Sequence, residues 1–352
     1  MPKIKRSPTI SDVASRANVS IATVSRVLNG TVPVHTEKAD RVQIAMAELN
    51  FVPRHAARVL ASRKTFTIGL ILSEIGGAFF PQLLKGVESE ARSAGYELLI
   101  HSTQGQHIHQ RKPLGEHNTD GLLVFTSSLE LSELYRLQSI NFPVLLMHQT
   151  PPDDLKIPVV TVENKNGAQT LVSHLIEKHR CRRIVFLRGP DDHEDSQWRE
   201  RGYREALKTH QIKFDPKLIG VGHFEEEQAF GTIQKMFADG LDIDAVFAGD
   251  DDAATGAIRA IKMTGRSVPD EIAVVGFDDV PFARYLSPAL TTVRAPIEEV
   301  GREAVRQLKS LMDGKQADPL TLMRTQMVIR ESCGCSSEEA SRNKIFAQSE
   351  RR

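Results

Sequence analysis

Ser20, Ile21, Ala22, Thr23, Ser25, Arg26 and Asn29 stand together near the start of the chain. Short hydroxyls and an amide suit phosphate oxygens, contacts that fix orientation on a duplex. Arg26 is long enough to present two donors to a guanine edge. Ile21 and Ala22 carry no polar side-chain atoms and can meet only shape and thymine methyl groups. This is the chemistry of reading double-stranded DNA; the competing reading is an amphipathic helix whose outer face meets water. A second set lies further on, each member just after an apolar run: Phe79-Phe80, His148, Asp195 to Arg199 with Trp198, Asp250-Asp251-Asp252 and Asp278-Asp279. Carboxylates, an arginine and aromatics that converge make a polar ligand site, with flat faces for a ring and charges for hydroxyls. Asp251 and Asp279 read equally as helix caps or structural groups, Phe80 as core, and Trp198 as a cleft wall.

Other chemistry is less well supported. Cys333-Gly-Cys335 offers two thiols without a second pair or a nearby histidine cluster, a weak basis for a metal site. The triple aspartate lacks the further ligands a Mg²⁺ needs. No metal and no cofactor is expected. There is no G-x-S-x-G elbow and no Walker loop, so the chain reads as a binder and not an enzyme.

These groups need elements to hold them. Thr9-Ile-Ser-Asp12 has the form of a capping box that opens a helix, and Thr9 is also counted with the DNA-facing residues. Val13, Ala14 and Ala17 form its apolar stripe. Asn18 marks a left-handed break. Ser20 caps a second helix with Val24, Val27 and Leu28 inward, and Asn29-Gly30 stops it. A third helix spans about 36–50, with Val42, Ala45, Met46 and Leu49 on one face. Two short helices joined by a tight turn and braced by a third make a helix-turn-helix unit, residues 1–51. Residues 52–65 follow as a hinge helix and linker. Pro53 suits a first turn, Ala56, Ala57, Leu60 and Ala61 are small or aliphatic, and Arg54, Arg58, Arg63 and Lys64 are cationic. Such a helix is marginal alone; paired with its twin it could enter a minor groove.

From Phe66 the pattern changes. Apolar β-rich runs (TIGLILS, YELLIHS, DGLLVF, PVLLMH, PVVTVE, RRIVFLRG, DAVFAGD, EIAVVGFDD) alternate with helical stretches. Buried parallel strands alternating with helices predict doubly wound α/β units. About ten strands are too many for one small sheet, so two lobes are expected over 66–330: the first about 66–163 and 292–328, the second about 164–291. Ligands in such sheets bind outside the carboxyl ends of the strands. The polar segment 331–352 is expected to be a disordered tail.

At 352 residues, 40% hydrophobic and 26% charged, the chain has the composition of an ordinary multi-unit globular protein. No apolar run approaches the ~20 residues of a membrane helix. The polar N-terminus and the three cysteines (Cys181, Cys333, Cys335) fit a reducing cytoplasm. The net charge of zero hides an asymmetry. Residues 1–64 hold 11 Lys/Arg against 4 Asp/Glu (+7), and the rest 34 against 41 (−7). A basic head on an acidic body points to a polyanion partner for the head alone.

The runs TISDVASRANVSIATVSRVLNG and AMAELNFVPRHAARVLAS resemble the lactose/galactose-repressor family of bacterial transcription regulators, densely over 9–62 and more loosely to about Arg330. The resemblance implies a homodimer on a pseudo-palindromic DNA operator, with Leu60 pushed between base pairs to kink the site. It also implies a two-lobed periplasmic-binding-protein-like body that holds a small-molecule effector. In that pattern Arg199 in W-R-E-R-G-Y matches the effector-anchoring arginine, and Asp278 in V-V-G-F-D-D the ligand-contacting aspartate. Ser73 and Phe79 fall in the first-lobe binding loop. Asp250 falls where the family often has Asn or Ser, and His148 where Asp or Arg is frequent. A sugar is the expected effector, with a nucleoside or purine as the alternative. A solute-binding transport protein and a sugar-acting enzyme are the competing functional classes.

Overall fold

In a computed structural model of the chain, the described residues are 8–29, 33–51, 64–103 and 114–336, and they fall into two compact units divided after Phe66. Arg54, Ala57, Arg58 and Leu60 lie outside the described residues, as does the side chain of Asn29.

The first unit holds α1 (Ile10–Ala17), α2 (Ile21–Asn29) and α3 (Thr36–Glu48). Both arms of the capping box are formed. Asp12 N donates to Thr9 Oγ1 (3.3 Å), and Thr9 N donates to Asp12 Oδ2 (2.7 Å), so two otherwise orphaned N–H groups find acceptors. Asn18, at φ 52°, ends α1 in the left-handed region that Asn tolerates better than most residues. Ser20 Oγ then accepts from Thr23 N at the start of α2. Val13, Ala14, Ala17, Val24, Val42 and Ala45 form the core, with Val27, Leu28, Met46 and Leu49 packed against it.

The second unit has two lobes. The first is a six-stranded parallel sheet in the order β11-β5-β4-β3-β1-β2. These strands are β1 (Thr67–Leu72), β2 (Glu97–Ser102), β3 (Gly121–Phe125), β4 (Val144–Met147), β5 (Val159–Val162) and β11 (Leu320–Met323). Its helices are α4 (Phe79–Ser93), α5 (Leu131–Ser139) and α10 (Ile297–Met312). The second lobe is a four-stranded parallel sheet in the order β7-β6-β8-β9: β6 (Ile184–Arg188), β7 (Ile219–Val221), β8 (Ala245–Ala248) and β9 (Ala273–Val275). Around it lie α6 (Asn164–His179), α7 (Glu194–Thr209), α8 (Glu226–Ala238) and α9 (Asp251–Met263). The central strands are buried throughout, the signature of sheets covered on both faces. Among the described residues no helix is long and apolar enough to cross a membrane.

The chain crosses between lobes near Val162–Asn164 and again through β10 (Thr292–Arg294), which pairs antiparallel with β12 (Gln326–Val328). A third crossing corrects the expectation that the second lobe ends at 291 and that a disordered tail begins at 331. After β12 the chain returns to the second lobe. Val274 N donates to Ser332 O (2.9 Å), Ser332 Oγ donates to Val274 O (2.6 Å), and Thr291 N donates to Ser332 Oγ (2.8 Å). Ser332 and Cys333 are 0% and 1% exposed. A polar composition hid this docking because hydrogen bonds hold much of the segment. Residues 337–352 lie outside the described residues.

Candidate functional site

Ser20, just before α2, and Ile21, Ala22 and Arg26 on it have exposed side chains, and those of Thr23 and Ser25 are half-buried. Ile21 is 51% exposed at the first position of a helix whose inner face is already packed. An aliphatic group left outward at a helix N-terminus suits a contact surface. Ser20 Oγ and Thr23 Oγ1 lie 2.9 Å apart. Thr9 is different: its hydroxyl donates to Asp12 Oδ2 (2.7 Å) and accepts from Asp12 N, so its side chain serves the α1 cap.

In the second unit the strand-end residues converge between the lobes. Asp195 and Arg199 are one helical turn apart on α7 and share a face. Gly202 lets that face approach α6 closely, since a Cβ there would stand 2.3 Å from Lys165 O. Arg199 is 2% exposed. It donates through Nε to Asn164 Oδ1 (2.8 Å), through Nη1 to Gly249 O (2.6 Å) and through Nη2 to Asp278 Oδ1 (3.0 Å). Its guanidinium lies 3.8 Å from the Phe277 ring centroid. Asn164 Nδ2 in turn donates to Asp195 Oδ1 (2.6 Å), and Asp195 Oδ2 lies 2.7 Å from His148 Nδ1 of the first lobe. A continuous buried chain thus runs His148–Asp195–Asn164–Arg199–Asp278. His148 Nε2 is buried and, among the described residues, has no hydrogen-bond partner. Such an atom is costly unless something meets it.

Two members of this chain hold unusual backbone. His148 sits at φ 59° and Asp278 at φ 101°, the left-handed region that favours glycine. Strain of this kind costs on the order of 1–3 kcal/mol and clusters at ligand sites. The carboxylates differ in character. Burial alone would raise Asp195, but His148, Arg199 and Asn164 hold it below the usual range. Burial raises Asp278 despite Arg199 beside it. Burial, then Asp278, drives Asp250 well upward.

The other expected residues divide. Phe79 stands edge-on to His148 (centroids 5.6 Å) and borders the site. Phe80 is core, edge-on to Phe79 and Phe125. Ser73 is half-buried at the end of β1, its carbonyl 3.4 Å from Ser102 Oγ. Asp250 accepts from Ala253 N (2.9 Å) as the N-cap of α9. Asp251 binds Thr292 Oγ1 (2.6 Å) and Val280 N (2.9 Å), and Asp279 pairs with Arg294 and Arg330; both are structural. Trp198 is not beside Arg199. Adjacent helical residues point about 100° apart. Trp198 instead donates to Glu194 Oε1 (2.9 Å), stacks under Arg201 and lines two flanking cavities of about 700 and 470 Å³. The smaller cavity reaches Asn164 and Asp195.

Asn164 and Asp195 carry the lobe-to-lobe chain; the sequence groups Asp195 with the strand-end residues but gives Asn164 no place in the site. The signal for Asn164 was its position just beyond a buried strand; that for Asp195 was its spacing of four from Arg199.

Comparison with known proteins gives a consistent picture. Residues 9–54 match the model of bacterial regulatory proteins of the lacI family, and residues 172–333 that of the periplasmic binding protein-like domain. The ribose operon repressor of Halalkalibacterium halodurans is 33% identical over 94% of this chain and 99% of its own length. The solved lac repressor dimer bound to operator and the anti-inducer ONPF is 26% identical, with TM-score 0.81 over 93% of this chain and 99% of that one. The complex of transcriptional regulator CelR with cellobiose is 28% identical, with TM-score 0.67 over 92% and 99%.

Proposed function

The chain belongs to the lacI family of bacterial regulatory proteins, and from that membership we propose a repressor whose grip on a DNA operator is set by a small polar effector, a sugar in the first instance. The observation that carries the sensing half is the buried chain from His148 to Asp278, which links both lobes through groups able to meet hydroxyls. Relatives named for ribose and cellobiose support a saccharide.

In this reading α2 lies in the major groove. Arg26 reads a base edge, Ile21 and Ala22 read shape, and Ser20, Thr23, Ser25 and Asn29 orient on phosphates. The segment carrying Arg54, Ala57, Arg58 and Leu60 pairs with its twin in a dimer, enters the minor groove and kinks the site. Exposed Leu99 and Ile100, on opposite faces of the edge strand β2, leave that edge open to a second copy. Effector bound at the lobes shifts their placement and so biases pairing of the hinge segments. The coupling is reciprocal: what effector does to DNA affinity, DNA does to effector affinity by the same factor. The site binds and does not turn over its ligand, since its arginine and carboxylates are tied to one another. The protein acts in the cytoplasm, at the nucleoid.

The test is selection of duplexes on full-length protein, followed by a thermal-shift screen with pentoses, disaccharides and purine nucleosides. The expected result is one preferred pseudo-palindrome and a sugar that both raises Tm and changes operator affinity. A nucleoside that does so in place of a sugar corrects the effector class. No preference over random duplex overturns the reading.

A further inference from the structure

His174 and His179 lie on the last turns of α6, and Cys333 and Cys335 on the third crossing, more than 150 residues later. The sequence offered these thiols no histidine partners; the fold supplies two. We propose that these four residues form a zinc site that fastens the end of the third crossing to the second lobe.

The geometry carries the proposal. The four donor atoms lie within 4.8 Å of one another. Nε2 of His174 and Nε2 of His179 are 3.3 Å apart. Cys335 Sγ is 3.4 Å from each of them, and Cys333 Sγ is 3.7 Å from His174 Nε2. A tetrahedral zinc, with Zn–N about 2.0–2.1 Å and Zn–S about 2.3 Å, sets its ligand atoms about 3.3–3.8 Å apart. These four separations fall in that interval. Two thiolates and two imidazoles are a donor set that favours zinc over hard cations.

The backbone supports the same arrangement. Gly334, between the two cysteines, sits at φ +100°, and a Cβ there would stand 3.2 Å from His179 Nδ1. Thr291 Oγ1 donates to Cys333 Sγ (3.2 Å), an outer hydrogen bond of the kind that orients a metal ligand. Four protein ligands leave no open position, so the site is structural and not catalytic. On binding, each thiol gives its proton to solvent and ligates as thiolate. The consequence is mechanical: the segment that leaves β12 is pinned at its far end.

The experiment uses full-length protein purified under reductant and dialysed against metal-free buffer, with elemental analysis for zinc. The expected result is one zinc per chain. Removal by a strong chelator lowers Tm by about 5 °C or more, and zinc alone restores it. Co²⁺ in its place gives the intense visible bands of a tetrahedral site with thiolate charge transfer. Cys335→Ser and His179→Gln, at the two half-buried positions, each lose the metal and the chelator response. Cys181→Ser, beside the site but outside the donor set, keeps both. Circular dichroism checks that the variants fold. Should a variant fail to fold, the chelator and cobalt measurements on wild-type protein decide alone. Absence of zinc uptake, a weak octahedral cobalt spectrum, a Cys333–Cys335 disulfide by mass, or full zinc retention in folded Cys335→Ser overturns the proposal.

Discussion

His148 Nδ1 of the first lobe lies 2.7 Å from Asp195 Oδ2 of the second, and both side chains are largely shielded from solvent. Close by, Thr150 Oγ1 donates to Glu194 Oε1 (2.7 Å) and Ser127 Oγ to Asp192 O (3.3 Å), so one strand-end region of the first lobe meets the start of α7. The contact gives the two lobes a buried polar latch that leads directly to Arg199.

The latch has a pH signature. Asp195 is held below its ordinary value near 3.8 in the folded protein. A depressed carboxyl contributes stability that is present above its unfolded value and lost as pH falls through the folded one. Asp195→Asn is therefore expected to destabilise the protein by about 2 kcal/mol at neutral pH. The difference from wild type should shrink in acid below the ordinary carboxylate range. Denaturant melts across pH check this, and a pH-independent difference would remove the ionised latch.

Arg199 ties three buried acceptors together. Arg199→Ala removes the donor to Asp278 Oδ1, Asn164 Oδ1 and the Gly249 carbonyl in a buried setting, an expected loss of about 3–5 kcal/mol. Asp278→Asn keeps the shape and removes a carboxyl that burial already disfavours in its charged form. It should cost about 1–2 kcal/mol while still impairing the effector response. Equal melting of the two variants would show that the arginine is not structural.

Glu74 of the first lobe faces like charge from the second. Burial first, then Glu225 and Asp252 of the second lobe, raise its carboxyl. A raised carboxyl costs stability when ionised, and that cost is relieved as pH falls through its folded value. Glu74→Gln should raise stability at neutral pH by a few tenths of a kcal/mol, since Glu74 is only partly buried and solvent screens it. The gain should fade in acid, where wild type is itself protonated. A loss in Tm at neutral pH would assign Glu74 an attractive role instead.

On the DNA side, Arg26→Ala is expected to cost about 1–3 kcal/mol of operator binding and to relax selectivity at one base pair per half-site. Ser25→Ala should weaken all duplexes alike. Binding across a panel of single-base operator variants separates the two, and a uniform loss for Arg26→Ala would make it a phosphate contact.

What the sequence determined is what neighbours in the chain decide. The Thr9–Asp12 cap, the left-handed Asn18, the apolar faces of α1 to α3 and the buried strands all follow from residues within a few positions, because helix caps, turns and periodic burial are local. That polar groups gather at the strand ends was legible for the same reason: a parallel strand names its own carboxyl end. Only the tertiary structure decided which strand-end groups meet. Asn164 joins Arg199 to Asp195 because Gly202 lets two helices approach. Trp198 parts from Arg199 because one helical step turns the side chain away. Cys333 and Cys335 reach His174 and His179 because a third crossing brings back a segment whose polar composition reads as tail. Contacts across such separations are set by crossover topology and close packing, and no window of local sequence encodes them.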